Sequence, residues 1–157
     1  MSLDQLHQPP LMPHLLVEGL NRYNDEPCLY LGDKVASYKD VREQTSQLVQ
    51  ALQSKGLGKG SRVAIISANR PEVLSNIAAM QLTGCIGTPL HPLGSLDDHA
   101  YVLEAAEIET LVFDASVFSE IAAALKARVP GLKNLLGFGP NEVGDDYLAI
   151  AESFSPK

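Results

Sequence analysis

The sequence predicts an α/β fold: a mostly parallel, doubly wound sheet with helices on both faces, plus a short N-terminal helix and hairpin. Three observations predict it. Short continuous apolar runs, such as Val63-Ala64-Ile65-Ile66, have the composition of strands covered on both faces. Amphipathic stretches with a 3.6-residue period lie between these runs. The two kinds of segment alternate at roughly 22–25 residues per unit, a spacing that fits right-handed βαβ crossovers.

Taken in order, residues 1–12 read as a flexible segment, with Pro9, Pro10 and Pro13 as punctuation, and residues 13–157 as the α/β unit. Leu15, Leu16, Leu20 and Tyr23 fall at helical spacing, and Pro13 suits a first helical turn. CLYLG and KVASY flank Gly32-Asp33, the pattern of a short antiparallel hairpin. Ser37 is placed to cap the next helix, with Asp40 three residues on completing a capping box. Val41, Thr45, Leu48, Val49 and Leu52 form the stripe of that helix, and Gly56 stops it. A strand follows over 62–67. The corner Asn69-Arg70-Pro71-Glu72 then opens a helix, with Asn69 read as its cap and Val73, Leu74, Ile77, Ala78 and Gln81 as its inner side. Ile86–Leu90 reads as a buried central strand, Ser95 and Asp98 as a second capping box, and Thr110–Phe113 as a third parallel strand. Val117, Phe118, Ile121, Ala122 and Leu125 mark a further helix, Asn134–Phe138 a fourth strand, and Tyr147–Phe154 a last short helix.

Composition excludes several classes of function. The formal net charge of −7 disfavours nucleic acid as a partner. The cations Lys34, Lys39, Arg42, Lys55, Lys59, Arg62 and Arg70 are scattered, and read as a solvated surface. Cys28 and Cys85 lie in apolar surroundings without CxxC spacing, and read as small buried thiols of a reducing, cytoplasmic compartment. The start of the chain lacks the basic region of a signal peptide, and no apolar run approaches the roughly 20 residues of a membrane span.

Few motifs carry chemistry. GLGKG at 56–60 follows a helix and precedes a strand, the reverse of a dinucleotide fingerprint, and reads as a plain turn. His7, His14, His91 and His99 show no metal-ligand spacing. The best candidate is the loop His91-Pro92-Leu93-Gly94. It leaves the carboxyl end of a strand, where open α/β sheets bind ligands, and runs into the Ser95 cap. An ordinary βα turn is the alternative for the same residues.

Tyr38 to Asp114 carries an ordered set of motifs. SYKD resembles the Thr-Tyr-x-Glu helix start of the adenylate-forming enzymes, the family of acyl-CoA synthetases, luciferases and peptide-synthetase adenylation domains. GLGKGSRVAIISANRPE resembles their Gly-x-x-x-Gly-Asp-x-Val strand entry followed by Asn-x-x-Glu, and GCIGTPLHPLGSLDDHAYVLEAAEIETLVFD their Gly-Ala-x-x-x-Pro-Leu-Asn-Pro segment with the helix and strand after it. There are departures: Ser61 stands where Asp is common, and His91 where Asn or Asp is common. The second Pro usual in peptide-synthetase domains is missing from LHPLGSLDD, which points to an acyl-CoA synthetase for a fatty or related carboxylic acid.

The resemblance implies a two-step reaction in the full-length parent. A carboxylate attacks the α-phosphate of ATP, giving an acyl-adenylate and pyrophosphate, and the CoA thiol then attacks that anhydride, giving acyl-CoA and releasing AMP. It implies ATP, magnesium and CoA as cofactors of the parent, and a small-molecule carboxylic (fatty) acid and the rest of the polypeptide as partners. The family's phosphate loop, magnesium-binding Glu, ribose-binding Asp and mobile Lys have no match here, so no catalytic residue carries over. This chain alone is expected to be inactive and to bind none of the cofactors. The resemblance also implies that His91, Pro92 and Leu93 border the CoA channel. An acyl-AMP ligase or amino-acid adenylation fragment, and a non-catalytic α/β binding module, are the competing readings.

Overall fold

The computed structural model describes residues 11–157. Of the expected flexible segment 1–12, residues 1–10 lie outside the described residues, and Met12 already belongs to helix α1 (Met12–Tyr23). Strands β1 (Pro27–Leu31) and β2 (Lys34–Ser37) form the expected antiparallel hairpin, with Leu31 opposite Lys34. Helix α2 (Tyr38–Ser54) opens on the expected capping box: Asp40 N–H donates to Ser37 Oγ at 3.1 Å, and Ser37 N–H donates to Asp40 Oδ2 at 2.8 Å. The bonds that Ser37 N–H and Ser37 Oγ donate to Asp40 Oδ2 hold its carboxyl below the ordinary range.

Five parallel strands make the main sheet: β3 (Arg62–Ile66), β4 (Ile86–Pro89), β5 (Thr110–Phe113), β6 (Asn134–Gly137) and the two-residue β7 (Asp145–Asp146). Their order is β4-β3-β5-β6-β7. Helix α3 (Pro71–Thr83) links β3 to β4. Helix α4 (Leu96–Ala105) then carries the chain back past β3 to β5, and α5 (Ser119–Arg128) links β5 to β6. Alternate residues of each strand face opposite layers. Ala64, Ile66, Leu111 and Phe113 pack with Ala100, Leu103, Ala122 and Leu125 of α4 and α5. Val63, Ile65, Val112 and Leu136 pack with Leu48, Leu52, Ala79 and Met80 of α2 and α3, and with helix α6 (Tyr147–Glu152). The sheet is doubly wound, as expected. Tyr147, wholly buried, donates its hydroxyl to Asn76 Oδ1 at 3.1 Å and anchors α6 to α3; burial pushes its phenol up.

Four expectations need correction. Asn69 does not cap α3: the cap position is Arg70, and no side chain caps this end. The inner face of α3 is Ser75, Asn76, Ala78, Ala79 and Met80, whereas Leu74 and Ile77 are each 38% exposed. Helix α3 packs beside α2 on the same side of the sheet, and its buried face is made mostly of small side chains. The bulky residues are turned toward the hairpin side. Strand β4 is an edge strand rather than a central one. Among the described residues its only strand neighbour is β3, and Ile86 is 52% exposed. Finally, Cys28 and Cys85 are half-buried, not fully buried; partial burial pushes the Cys28 thiol up.

GLGKG is a plain helix-to-strand turn, as expected. It is tied to the end of α3, with Gly60 N–H donating to Gly84 O at 2.9 Å. Gly84 terminates α3 at φ +77, and a Cβ there would stand 3.2 Å from Lys59 Cα, so glycine is needed on both counts.

Candidate functional site

In a parallel sheet every βα loop emerges at one edge, and the crevice opens where successive connections turn opposite ways. Here that switch point lies between β3, whose chain turns toward β4, and β5, whose chain turns toward β6. Arg70 fills it. Its Nη1 donates to Asp114 Oδ1 at 2.8 Å and to the Phe138 carbonyl at 3.1 Å, joining the ends of β3, β5 and β6. Its Nε and Nη2 donate to both oxygens of Glu72, at 2.9 and 3.0 Å, and its Cζ lies 5.4 Å from the Phe138 ring centroid. Asp114, 3% exposed, also accepts from Ser116 N and Oγ at 3.1 and 2.7 Å.

Arg70 is therefore a clamp and not part of a solvated surface, which corrects the reading of the scattered cations. The guanidinium holds Glu72 below the usual carboxylate range, against the opposing effect of burial. Two carboxylates outnumber one cation here, so this cluster has no spare positive charge for a phosphate.

The 91–94 loop lies at the same edge, beyond edge strand β4. Leu90 anchors it, buried and donating its N–H to Ile65 O at 2.8 Å. Beyond that anchor the loop is open to solvent: His91 and Pro92 are exposed, and Leu93 is 88% exposed. His91 Nδ1 accepts from Leu93 N–H at 3.1 Å, so the tautomer that leaves Nδ1 unprotonated suits the turn. Helix α4 then opens on the expected box. Asp98 N–H donates to Ser95 Oγ at 3.1 Å, and Ser95 Oγ donates to Asp98 Oδ2 at 2.7 Å. With Asp97 and Asp98 in its first turn, this helix end repels rather than attracts phosphate.

His99, which lacks metal-ligand spacing in the sequence, takes a different place in the fold. It is 2% exposed, directly beneath Gly94, and its Nε2 has no hydrogen-bond partner among the described residues. The signal was its place beside Ala100 and four residues before Leu103, on the inward face of α4. An open apolar groove of about 350 Å³ lies near Arg70, between Leu29 and Leu31 of the hairpin and Leu74 and Ile77 of α3. Among the described residues, no group of three or more His, Cys, Asp or Glu could hold a metal ion, and no helix is long and apolar enough to cross a membrane.

Comparison with known proteins places these features in a family. The family model described as AMP-binding enzyme matches residues 16–154. The medium/long-chain-fatty-acid–CoA ligase FadD8 of Mycobacterium tuberculosis is 41% identical over 162 aligned residues, an alignment covering 99% of this chain and 28% of that protein. The amide bond synthetase McbA of Marinactinospora thermotolerans superposes with a TM-score of 0.78 at 26% identity, over 87% of this chain and 28% of that one. The anthranilate CoA ligase AuaEII, in complex with anthranoyl-AMP, superposes with a TM-score of 0.85 over 99% of this chain and 30% of that one; at 17% identity, it shows the shared fold alone.

Proposed function

Because this chain belongs to the AMP-binding enzyme family, we propose that it is the N-terminal part of an ATP-dependent acyl-CoA synthetase acting on a fatty acid. The observation that carries this reading is the 41% identity, along nearly the whole chain, with a fatty-acid–CoA ligase. The chain spans 28% of that relative's length, so the activity belongs to a longer polypeptide. ATP supplies the adenylyl group and CoA the accepting thiol.

The residues at the carboxyl edge do not fit ATP or its magnesium. Arg70 is consumed by Asp114 and Glu72, and the first turn of α4 is acidic. What these residues contribute is architecture: the Arg70 clamp fixes the β3, β5 and β6 ends as a rigid edge. The 91–94 loop has a different character. It carries no cation and presents an exposed leucine and proline. That surface fits the uncharged pantetheine arm of CoA rather than its phosphates, and His91, Pro92 and Leu93 would border the thiol channel.

The test separates the two half-reactions in the full-length enzyme. His91→Asp or Pro92→Trp, in variants shown to fold, is expected to impair thioester formation more than acyl-adenylate formation. Equal loss in both half-reactions would mean that the loop only shapes a βα turn.

A further inference from the structure

The turn that ends the 91–94 loop is closed by Gly94, whose N–H donates to the His91 carbonyl at 2.9 Å. The φ of Gly94 lies outside the left-handed region, so backbone conformation does not by itself demand glycine. Space does. A Cβ at this position would stand 2.6 Å from His99 Cε1 and 3.2 Å from His99 Nδ1. The loop backbone therefore rests directly on the imidazole, one turn into the helix that the loop precedes.

Two features set His99 apart from an ordinary core residue. Its neighbours on the inner face of α4, Ala100 and Leu103, are apolar, yet this position carries a ring with a buried nitrogen that no group among the described residues satisfies. A leucine would occupy such a site without leaving a polar atom orphaned. The ring also touches the segment whose two internal hydrogen bonds, Leu93 N–H to His91 Nδ1 and Gly94 N–H to His91 O, set how His91 and Leu93 project.

We infer that His99 is a positioning residue: its imidazole is the floor on which the His91–Gly94 turn is held, and it fixes the outward presentation of His91 and Leu93. Its consequence for catalysis rests on the reading of this loop as the border of the CoA channel. The contact itself does not, and the two are tested apart.

The contact is tested on this chain with four proteins: wild type, Gly94→Ala, His99→Ala and the double variant. Hydrogen exchange of the Leu93 and Gly94 amides is followed by NMR. In contact-coupled pairs the effect of one substitution depends on the other, so Gly94→Ala should speed exchange roughly tenfold alone and by less than about threefold in the His99→Ala background. A residual effect is expected, because the new methyl group still meets His91 O at 3.2 Å. Equal effects in both backgrounds would overturn the inference. If Gly94→Ala folds only in the His99→Ala background, the coupling is established by folding itself. If it folds in neither, His99→Ala alone decides: faster exchange at Leu93 and Gly94 supports the floor, and unchanged exchange removes it.

The functional arm uses the full-length ligase. His99→Ala should raise the KM for CoA by a larger factor than it lowers the rate of acyl-adenylate formation. A loosened loop with an unchanged KM for CoA would overturn the assignment of the loop to CoA while leaving the positioning contact intact.

Discussion

Replacing Asp114 by alanine removes the acceptor at the centre of the Arg70 clamp. Asp114 is nearly inaccessible, and its Oδ1 accepts from Arg70 at 2.8 Å and from Ser116 N and Oγ at 3.1 and 2.7 Å. Breaking a buried ion pair by removing one partner costs about 3–5 kcal/mol when the surviving charge is stranded. Arg70 is not stranded, because it keeps both oxygens of Glu72 and the Phe138 carbonyl, and its side chain is 22% exposed. The charge-assisted bond that is lost is worth about 1.5–3 kcal/mol, and the two Ser116 bonds about 1 kcal/mol each less their replacement by water. A net loss of about 3 kcal/mol follows, or roughly 6–12 °C in Tm for a domain of this size. Urea unfolding followed by circular dichroism reads it as a lower midpoint at unchanged slope. The double variant Arg70→Met with Asp114→Ala should cost less than the sum of the single variants, since the Arg70–Asp114 bond is lost only once and Asp114 is no longer left buried without its cation, while Glu72 loses Arg70 in the single and the double variant alike. A loss below about 1 kcal/mol for Asp114→Ala, or strict additivity in the double variant, would refute the clamp as a buried ionic junction.

Two further outcomes are expected. The purified chain should give no carboxylate-dependent ATP–pyrophosphate exchange with any of a panel of fatty acids, because it carries no match to the family's phosphate loop or magnesium-binding Glu; turnover above a blank would contradict this. Glu72 should contribute to acid lability. Its folded-state pKa is lowered below the ordinary 4.5 by the hydrogen bonds from Arg70, so its stabilisation is complete above about pH 4.5 and is lost as pH falls through the folded value. Glu72→Gln should therefore be less stable than wild type at pH 7, with the gap closing below pH 4.5 in parallel urea titrations; a gap that is constant with pH would exclude this linkage.

The sequence alone determined the elements and the family. Capping boxes at Ser37–Asp40 and Ser95–Asp98 are contacts three residues apart, so they are written in the local sequence and recur in the fold. The apolar runs at Val63–Ile66, Thr110–Phe113 and Asn134–Gly137 are strands because their composition suits burial on both faces. The motif order from Tyr38 to Asp114 was enough to point to the adenylate-forming enzymes, and the loop His91–Gly94 could be placed at the carboxyl edge from element order alone.

Tertiary structure decided what depends on partners distant in sequence. Ile86–Pro89 has the composition of a strand, but edge or centre is set by which strands pair with it, and among the described residues only β3 does. The inner face of α3 follows from its packing against both α2 and the sheet, where mostly small residues are buried and Leu74 and Ile77 turn away. Two-residue β7 is too short for any periodicity and exists through its pairing with β6. Arg70 looked like one more surface cation because its partner Asp114 lies 44 residues away. His99 looked like an isolated histidine because its contact with Gly94 is steric rather than a recognisable motif. Period, caps and turns act over a few residues, whereas burial and ion pairing are fixed only when the sheet closes and brings separate loops to one edge.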